Sequence, residues 1–297
     1  LAHPRLMRAL TGLSPAEFTH LLPAMTAAWA QAQQTRYTGN ATRQRQPGGG
    51  RKGVVPSITE KLFFILFYYK CYPTFDLLGF LYGCHRSNAC RREQALSPIL
   101  EAALGRQLAL PARQLRSPAE FFARFPAAQA VFLDGTERPT QRPQDAARQR
   151  RLYSGKRKRH TRKNLVLTDG QRRIGVLSPT VEGTRHDFAL LQDVGWPQSI
   201  PAAIVLHVDL GFQGIQQTSP GQAVSIPTKK PRGQALAPAL KGWNTRRRRV
   251  RVLVEHALAG VKRFRIVADV FRNRREALAD RAMLLACGLW NYHLATG

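Results

Sequence analysis

The stretch that decides the fold is Ala130-Val131-Phe132-Leu133-Asp134-Gly135-Thr136-Glu137, in which a short apolar run ends at an acid. A second stretch, Ala203-Ile204-Val205-Leu206-His207-Val208-Asp209, has the same form. Short apolar runs bounded by turn residues are typical of buried strands. In open sheets the strand ends form the edge where ligands bind, so we expect Asp134 and Asp209 to lie at such an edge. Turns closed by aspartate side-chain hydrogen bonds are the alternative explanation for each acid.

Further strands and helices are predicted around these two runs. Residues 164–168 and 174–177 flank Asp169-Gly170, which indicates a two-residue type I′ hairpin. The pattern predicts helices over 187–194, 250–264 and 275–293, and another short strand over 224–226. This order favours an α/β or α+β domain, in which helices flank a mixed sheet.

The N-terminal part is predicted to be helical. Ser14 and Glu17 form a capping-box pattern ahead of a helix over 15–32, and a basic, glycine-rich linker follows over 39–56. Helices over 58–70, 75–82 and from 85 or 87 to about 105 have the short connections of a helix-turn-helix. Three packed helices with a solvated basic face are the alternative. The third helix begins with side chains suited to DNA bases and phosphates, namely Arg86, Ser87, Asn88, Arg91 and Arg92.

The charge of the chain favours a polyanionic partner. Lys and Arg number 46 against 18 Asp and Glu, which gives a formal net charge of +28. Self-repulsion of this size favours nucleic acid over a merely soluble basic surface. The four cysteines do not have the spacing of a zinc site, so free thiols are expected. Because the sequence has no membrane-spanning run or signal peptide, we expect a cytoplasmic protein of the bacterial nucleoid without a membrane partner.

A third acid and two basic segments complete the candidate site. Helical spacing places Arg251, Glu255 and Lys262 on one face, although an ordinary Arg251–Glu255 ion pair would give the same pattern. The four consecutive arginines Arg246, Arg247, Arg248 and Arg249 are expected to face a DNA backbone together. A second basic arm, also expected on DNA, contains Lys156, Arg157, Lys158, Arg159, His160, Thr161, Arg162 and Lys163.

Several segments, in consistent order from about residue 55 to 295, resemble the DDE superfamily endonucleases, and among these the transposases of the insertion-sequence-five type. The segments are Leu133-Asp134-Gly135-Thr136-Glu137, Tyr153 to Thr161, Gly183-Thr184-Arg185-His186-Asp187, Val208-Asp209-Leu210-Gly211-Phe212-Gln213-Gly214, Ile226 to Gly233, Val254-Glu255-His256, Lys262-Arg263-Phe264-Arg265 and Phe271-Arg272-Asn273. Two positions depart from the family pattern. Arg248 replaces a tyrosine, and Asp209-Leu210-Gly211-Phe212 replaces the usual Asp-Lys-Gly-Tyr.

The resemblance implies a ribonuclease-H-like domain, here over 117–297, after a helical segment over 1–38 and a helix-turn-helix domain over 57–116. It also implies that Asp134, Asp209 and Glu255 bind two Mg²⁺ ions, for which Mn²⁺ is able to substitute. Asp134 would bridge the two ions, and Arg251 and Lys262 would grip the phosphodiester. Asp187 and His256 are candidate residues that contact the metal ligands without binding the metal themselves.

The function that this resemblance implies is a DNA transposase. Such an enzyme binds the terminal inverted repeats of an insertion sequence, cleaves at the ends and joins 3′-hydroxyl ends to target DNA. Its partner is double-stranded DNA, and a homodimer is expected where two ends are brought together. The alternatives are a domesticated metal-dependent DNA nuclease and a DNA-binding regulator, both without strand transfer.

Overall fold

The computed structural model describes residues 3–38, 53–231, 233 and 235–297. The helices are α1 (Pro4–Thr11), α2 (Pro15–Thr38), α3 (Ile58–Cys71), α4 (Phe75–Leu81), α5 (Arg86–Arg106), α6 (Pro118–Arg124), α7 (Ala146–Leu152), α8 (Asp187–Val194), α9 (Ile215–Thr218), α10 (Pro238–Lys262), α11 (Arg265–Ala268) and α12 (Glu276–Thr296). The strands are β1 (Ala130–Pro139), β2 (Tyr153–Ser154), β3 (Arg159–Thr168), β4 (Ile174–Leu177), β5 (Val181–Glu182), β6 (Val205–His207) and β7 (Val224–Ser225). Most of the predicted linker, residues 39–52, lies outside the described residues.

The chain divides into two compact units, and each unit is made of segments that are not consecutive in the sequence. The helical unit comprises Leu1–Leu110, Lys262–Ala268 and Arg281–Gly297, and the sheet unit comprises Pro111–Val261 and Asp269–Asp280. The sequence division differs from this because it assigned all of 117–297 to one domain. Most of α12 belongs instead with the N-terminal helices, where the Tyr292 hydroxyl donates to the Glu17 carbonyl at 2.9 Å.

Capping residues set the helix starts in the helical unit. The Ser57 hydroxyl accepts from the Glu60 N–H at 3.1 Å, and the Glu60 carboxylate accepts from the Ser57 N–H at 2.8 Å. Ser14 and Glu17 form the same reciprocal pair ahead of α2. Each pair satisfies donors that the first helical turn leaves open. The capping box predicted at Ser14 and Glu17 is therefore present, and Ser57 with Glu60 forms a second one.

The sheet unit is built on a mixed sheet with the strand order β2-β3-β1-β6-β7, and β4 and β5 also pair with β3. β1 runs antiparallel to β3 and parallel to β6, which in turn runs parallel to β7. Its apolar core includes Val131 and Leu133 of β1, Leu206 of β6 and Leu190 of α8. The predicted fold class, an α/β mixed sheet flanked by helices after an all-α region, is confirmed.

Local details differ from the sequence expectations at the hairpin. Five residues, 169–173, connect β3 to β4, so the predicted two-residue turn is wrong. Asp169 Oδ1 accepts from the N–H groups of Gln171 and Arg173, both at 2.9 Å, and Arg172 adopts a positive φ of 67°. An aspartate that bonds to the backbone two and four residues ahead closes this wider loop.

Candidate metal centre and DNA-binding surfaces

The two predicted aspartates lie on or next to neighbouring strands. Asp134 lies within β1, which continues to Pro139, so the prediction that this strand ends at Asp134 is wrong, whereas Asp209 follows the end of β6. β1 pairs in parallel with β6, with Phe132 opposite His207. Two residues further along each chain stand Asp134 and Asp209, and paired strands lie about 4.8 Å apart. The register therefore brings the two carboxylates to the same edge of the sheet, although almost 75 residues separate them in sequence.

Each aspartate also bonds to a neighbouring backbone N–H. Asp134 Oδ1 accepts from the Gly135 N–H at 2.8 Å, and Asp209 Oδ1 accepts from the Gly211 N–H at 2.8 Å. The turn explanation holds for Asp209, which begins the turn Leu210–Phe212, and not for Asp134, which lies within β1. The backbone bonds fix the direction of the two carboxylates while the strand register brings them together.

The two glycines leave space for a third carboxylate, that of Asp187. A methyl group on Gly135 would lie 3.0 Å from Asp187 Oδ1, and one on Gly211 would lie 3.2 Å from Asp187 Oδ2. These distances are closer than a side chain tolerates without displacing the carboxylate. Asp187 begins α8 and thereby reaches the strand edge that carries the other two acids. The structure thus gives the predicted supporting residue a definite position.

A buried lysine holds Asp187 in place. Lys163 Nζ lies 2.8 Å from Asp187 Oδ1 and 3.6 Å from Glu137 Oε1. It also donates to the Arg185 carbonyl at 2.7 Å, and the Thr161 hydroxyl donates to Glu137 Oε2 at 2.9 Å. The side chains of Lys163 and Glu137 are only 7% and 8% exposed, so solvent screens the lysine's ion pairs weakly. The sequence signal for this network is a pair of opposite charges, Glu137 and Lys163, on two strands that pair with each other.

The environment of Asp134 disfavours its charged form. Burial raises the pKa of Asp134 to about 6, and the negative charges of Asp209 and Asp187 act in the same direction. The positive charge of Arg251 and the Gly135 hydrogen bond oppose this and lower the pKa. In the described part of the chain, Arg251 Nε is buried without a hydrogen-bond partner. A site that concentrates negative charge and keeps one carboxyl at an elevated pKa is typical of functional centres.

Glu255 is not assembled with the two aspartates. It lies on α10 one turn after Arg251, and its side chain is exposed. Within the ranges that the structure describes, no three His, Cys, Asp or Glu side chains are arranged to hold a metal ion. The structure therefore brings Asp134 and Asp209 together and leaves the third predicted acid outside. His256 is also exposed on the same helix and lies away from the buried core of the unit.

The residues that converge at the strand edge fit a hard divalent cation. Carboxylate oxygens are the ligands that Mg²⁺ prefers. A buried acid costs folding free energy unless it is paired or bound to a metal, and the raised pKa of Asp134 indicates that Arg251 does not compensate its charge fully. A divalent cation between Asp134 and Asp209 would offset their repulsion.

Two family models match the chain. The model described as DDE superfamily endonuclease matches residues 133–291, a range that contains all three predicted acids. This chain belongs to the DDE superfamily of endonucleases. The model described as the helix-turn-helix of DDE superfamily endonuclease matches residues 55–106, which implies that the protein binds DNA.

Curated relatives match almost the whole chain. It is 27% identical over 293 residues to a probable transposase for insertion sequence element IS702 of Microchaete diplosiphon, covering 98% of this chain and 95% of the relative. It is 25% identical over 270 residues to a candidate transposase for insertion sequence element IS112 of Streptomyces albus G, covering 90% and 88%. No solved structure matches.

The helix-turn-helix of this endonuclease presents several of the predicted side chains to solvent. α4 and α5 are joined by residues 82–85, and Arg86, Asn88 and Arg91 are exposed at the start of α5. Ser87 and Arg92 are half-buried, and the Ser87 hydroxyl lies 2.8 Å from His85 Nδ1. The exposed three are accessible to phosphates or base edges, although Arg86 lies 3.6 Å from Asp76 Oδ1 and Arg91 donates to Asn88 Oδ1 at 3.0 Å.

The basic arm splits into an exposed and a buried half. Lys156, Arg157, Lys158 and Arg159 are exposed where the chain turns into β3. Arg162 and Lys163 are buried on β3, at 7% and 5% exposure, so neither lies on an open surface as the exposed half does. Lys163 makes its contacts inside the protein, whereas Arg162 lines a cavity of the sheet unit.

The four consecutive arginines lie within one helix, so their side chains point in different directions. α10 begins at Pro238, well before the predicted start, and includes Arg246 to Arg249. Consecutive helical residues point about 100° apart, so the four cannot face one DNA backbone together. Arg247 is half-buried, lies over the Trp243 ring at 4.2 Å and donates to the Ile226 carbonyl. Arg246 and Arg248 are exposed, as is Lys262 at the end of α10.

The remaining sequence expectations concern thiols and membranes. Cys71, Cys84, Cys90 and Cys287 are all free. Across the described residues, each helix is too short or too polar to cross a membrane.

Proposed function

We propose that this DDE endonuclease is a transposase. It binds the terminal inverted repeats of an insertion sequence, cleaves at the ends and joins the 3′-hydroxyl ends to target DNA. The observation that supports the proposal is the parallel register of β1 and β6, which pairs Phe132 with His207, two residues before Asp134 and Asp209. The two transposase relatives, which match over at least 88% of each protein, support the same reaction.

Asp134 and Asp209 would hold Mg²⁺ in this proposal, with Glu255 as the third acid. When bound, a pair of divalent ions activates the attacking oxygen and stabilises the leaving oxygen of an in-line displacement. Lys163 holds the Asp187 carboxylate against Gly135 and Gly211, the residues that neighbour the two aspartates. Arg251 supplies a positive charge beside Asp134, where a scissile phosphodiester would enter.

Neither of the two reaction steps needs an external energy source. In the first step a water oxygen attacks phosphorus, the bond from phosphorus to the 3′-oxygen breaks, and that oxygen takes a proton. In the second step the freed 3′-hydroxyl attacks a phosphodiester of the target. One phosphodiester forms as another breaks, and a target 3′-hydroxyl leaves.

A pair of DNA substrates tests the proposal against its alternatives. Uncut DNA with the flanking inverted repeats measures cleavage, and pre-cleaved ends measure joining to a target plasmid. The proposal predicts both activities in Mg²⁺ or Mn²⁺. Cleavage without joining would indicate a nuclease, and binding without either activity would indicate a regulator.

Variants of the acids assign the chemistry. Asp134→Ala and Asp209→Ala should abolish cleavage and joining while the variants still bind the ends. Glu255→Gln should do the same if Glu255 is the third ligand, whereas His256→Gln, at the next position on the same helix, should remain active. A purified Asp134→Ala variant that still nicks DNA would overturn the assignment.

A further inference from the structure

A cavity lined by arginines lies in the sheet unit, away from the acids. Its volume is about 210 Å³, many times the roughly 10–15 Å³ that one water molecule requires. Four arginines line it, namely Arg142, Arg148, Arg162 and Arg274, and the one acid in the lining is Asp145. We call this cavity the arginine pocket. The lining therefore carries an excess of positive charge.

The walls of the arginine pocket are built by backbone pairing. The Gln141 N–H donates to the Phe271 carbonyl at 3.0 Å, and the Phe271 N–H donates to the Pro139 carbonyl at 2.9 Å. This pairing places residues 273 and 274 beside the loop that follows β1. The Asp145 carboxylate accepts from the Arg148 N–H at 2.7 Å, so the one lining acid already holds a donor.

Arg162 lies at the base of the arginine pocket and is short of partners. Its side chain is 8% exposed, and its nearest acid oxygen, Glu276 Oε1, is 3.9 Å away. Arg162 Nε is buried and has no hydrogen-bond partner within the described ranges. A buried guanidinium that leaves a donor open costs free energy, which an entering anion would recover.

An anionic group already occupies the rim of the pocket. Glu276 Oε1 accepts from Arg148 at 3.0 Å and faces Arg162, yet the Glu276 side chain is 70% exposed. An exposed carboxylate gains little from such a pair because water screens it. A phosphate oxygen entering the cavity would meet the same two guanidinium groups, whose planar forks suit phosphate.

We infer that the arginine pocket binds one backbone phosphate of the DNA strand on which the endonuclease acts. The inference rests on the proposed function for its ligand. Thr140, which lines the cavity, directly follows β1 and stands six residues from Asp134, a span of at most about 20 Å at roughly 3.3 Å per residue. Each nucleotide advances about 3.4 Å along the axis of duplex DNA, so the bound phosphate lies within about six nucleotides of the cut.

The test couples a variant with single neutral phosphates in the DNA. Binding affinity is measured for end DNAs that carry one methylphosphonate at each of the first twelve positions from the cut. Arg142→Ala with Arg148→Ala removes one exposed arm of the pocket and one of the two guanidinium groups that the phosphate would meet. Arg150→Ala with Arg275→Ala is the matched control, because both residues are exposed neighbours that do not line the cavity.

For the wild type and the control, a methylphosphonate at one position within about six nucleotides of the cut should weaken binding about tenfold. For the pocket variant the same substitution should change the affinity less than twofold, because the contact is already lost. Equal effects in all three proteins at every position would overturn the inference. Binding is read without cleavage, so loss of the proposed activity and loss of this coupling are distinguished.

A second arm separates a DNA phosphate from a free one. Inorganic phosphate should raise the thermal midpoint of the wild type and of the control more than that of the pocket variant. Stabilisation by inorganic phosphate without coupling at any DNA position would overturn the assignment to a DNA strand.

Discussion

Asp134→Asn should stabilise the metal-free protein at pH 7.5. Burial and the charges of Asp209 and Asp187 raise the pKa of Asp134 to about 6, so the ionised carboxylate is unfavourable in the folded protein. Asparagine has nearly the same shape, carries no charge and still accepts the Gly135 hydrogen bond. The variant therefore loses the repulsion and keeps the local turn.

The expected size follows from the pKa. A rise from 3.8 to about 6 is about 2 units, or about 3 kcal/mol at about 1.4 kcal/mol per unit. The folded protein binds this proton more tightly than the unfolded chain, so the cost of the charge grows as pH rises from about 4 to 6. Above pH 6 the full cost is present, and below pH 4 it disappears. This value already includes the opposing charge of Arg251, which lowers the pKa of Asp134.

The assay is thermal and chemical unfolding in EDTA at pH 7.5 and pH 5, followed by a Mg²⁺ titration. The advantage of Asp134→Asn should shrink at pH 5, and Mg²⁺ should stabilise the wild type but not the variant. Asp187→Asn is the matched control with the opposite sign, since it weakens the ion pair with Lys163. A folded Asp134→Asn variant that is less stable than the wild type in EDTA at pH 7.5 would refute the reasoning.

Three further predictions concern the same unit. Gly135→Ala should lower cleavage strongly and leave end binding intact, because the added methyl would lie 3.0 Å from Asp187 Oδ1; unchanged cleavage would contradict it. Lys163→Met should reduce the free energy of unfolding by about 3–5 kcal/mol, as expected when a buried ion pair loses one partner, without changing the salt dependence of DNA binding. Neutralising the exposed basic residues 156–159 should reduce the log–log salt slope by roughly 3–4 if all four contact phosphates, and an unchanged slope would exclude those contacts.

Local signals in the sequence identify most of the elements. Ser57 with Glu60 determines where α3 begins, and the apolar run before Asp134 determines β1. These features depend on residues close in sequence, which is why they are predictable. The same holds for α8, which begins at Asp187 as expected.

Features that depend on partners distant in sequence cannot be predicted from the sequence alone. The apolar pattern of α12 predicts burial, but only the structure shows that Tyr292 packs with the N-terminal helices through Glu17. Arg162 and Lys163 look like part of a basic arm, yet β3 buries them beside Glu276, Glu137 and Asp187. A run of basic residues does not reveal which of them a strand turns inward.

The candidate site is only partly predictable from the sequence. Asp134 and Asp209 follow from the two apolar runs that precede them, because these runs pair in parallel and in register, although β1 continues beyond Asp134 to Pro139. The identity of the third acid depends on how α10 places Glu255, and helical spacing alone does not determine that distance. Asp187 is the acid that the structure adds beside the two aspartates.

The central claim, that Asp134 and Asp209 hold a divalent cation for phosphodiester chemistry, is tested most directly by locating that cation. Crystals of the protein with end DNA and Mn²⁺ would be measured at the manganese absorption edge. We expect an anomalous peak coordinated by oxygens of both aspartates in the wild type, and none there in Asp134→Asn. A DNA-bound structure without a peak between these two carboxylates, or with manganese bound only elsewhere, would contradict the account.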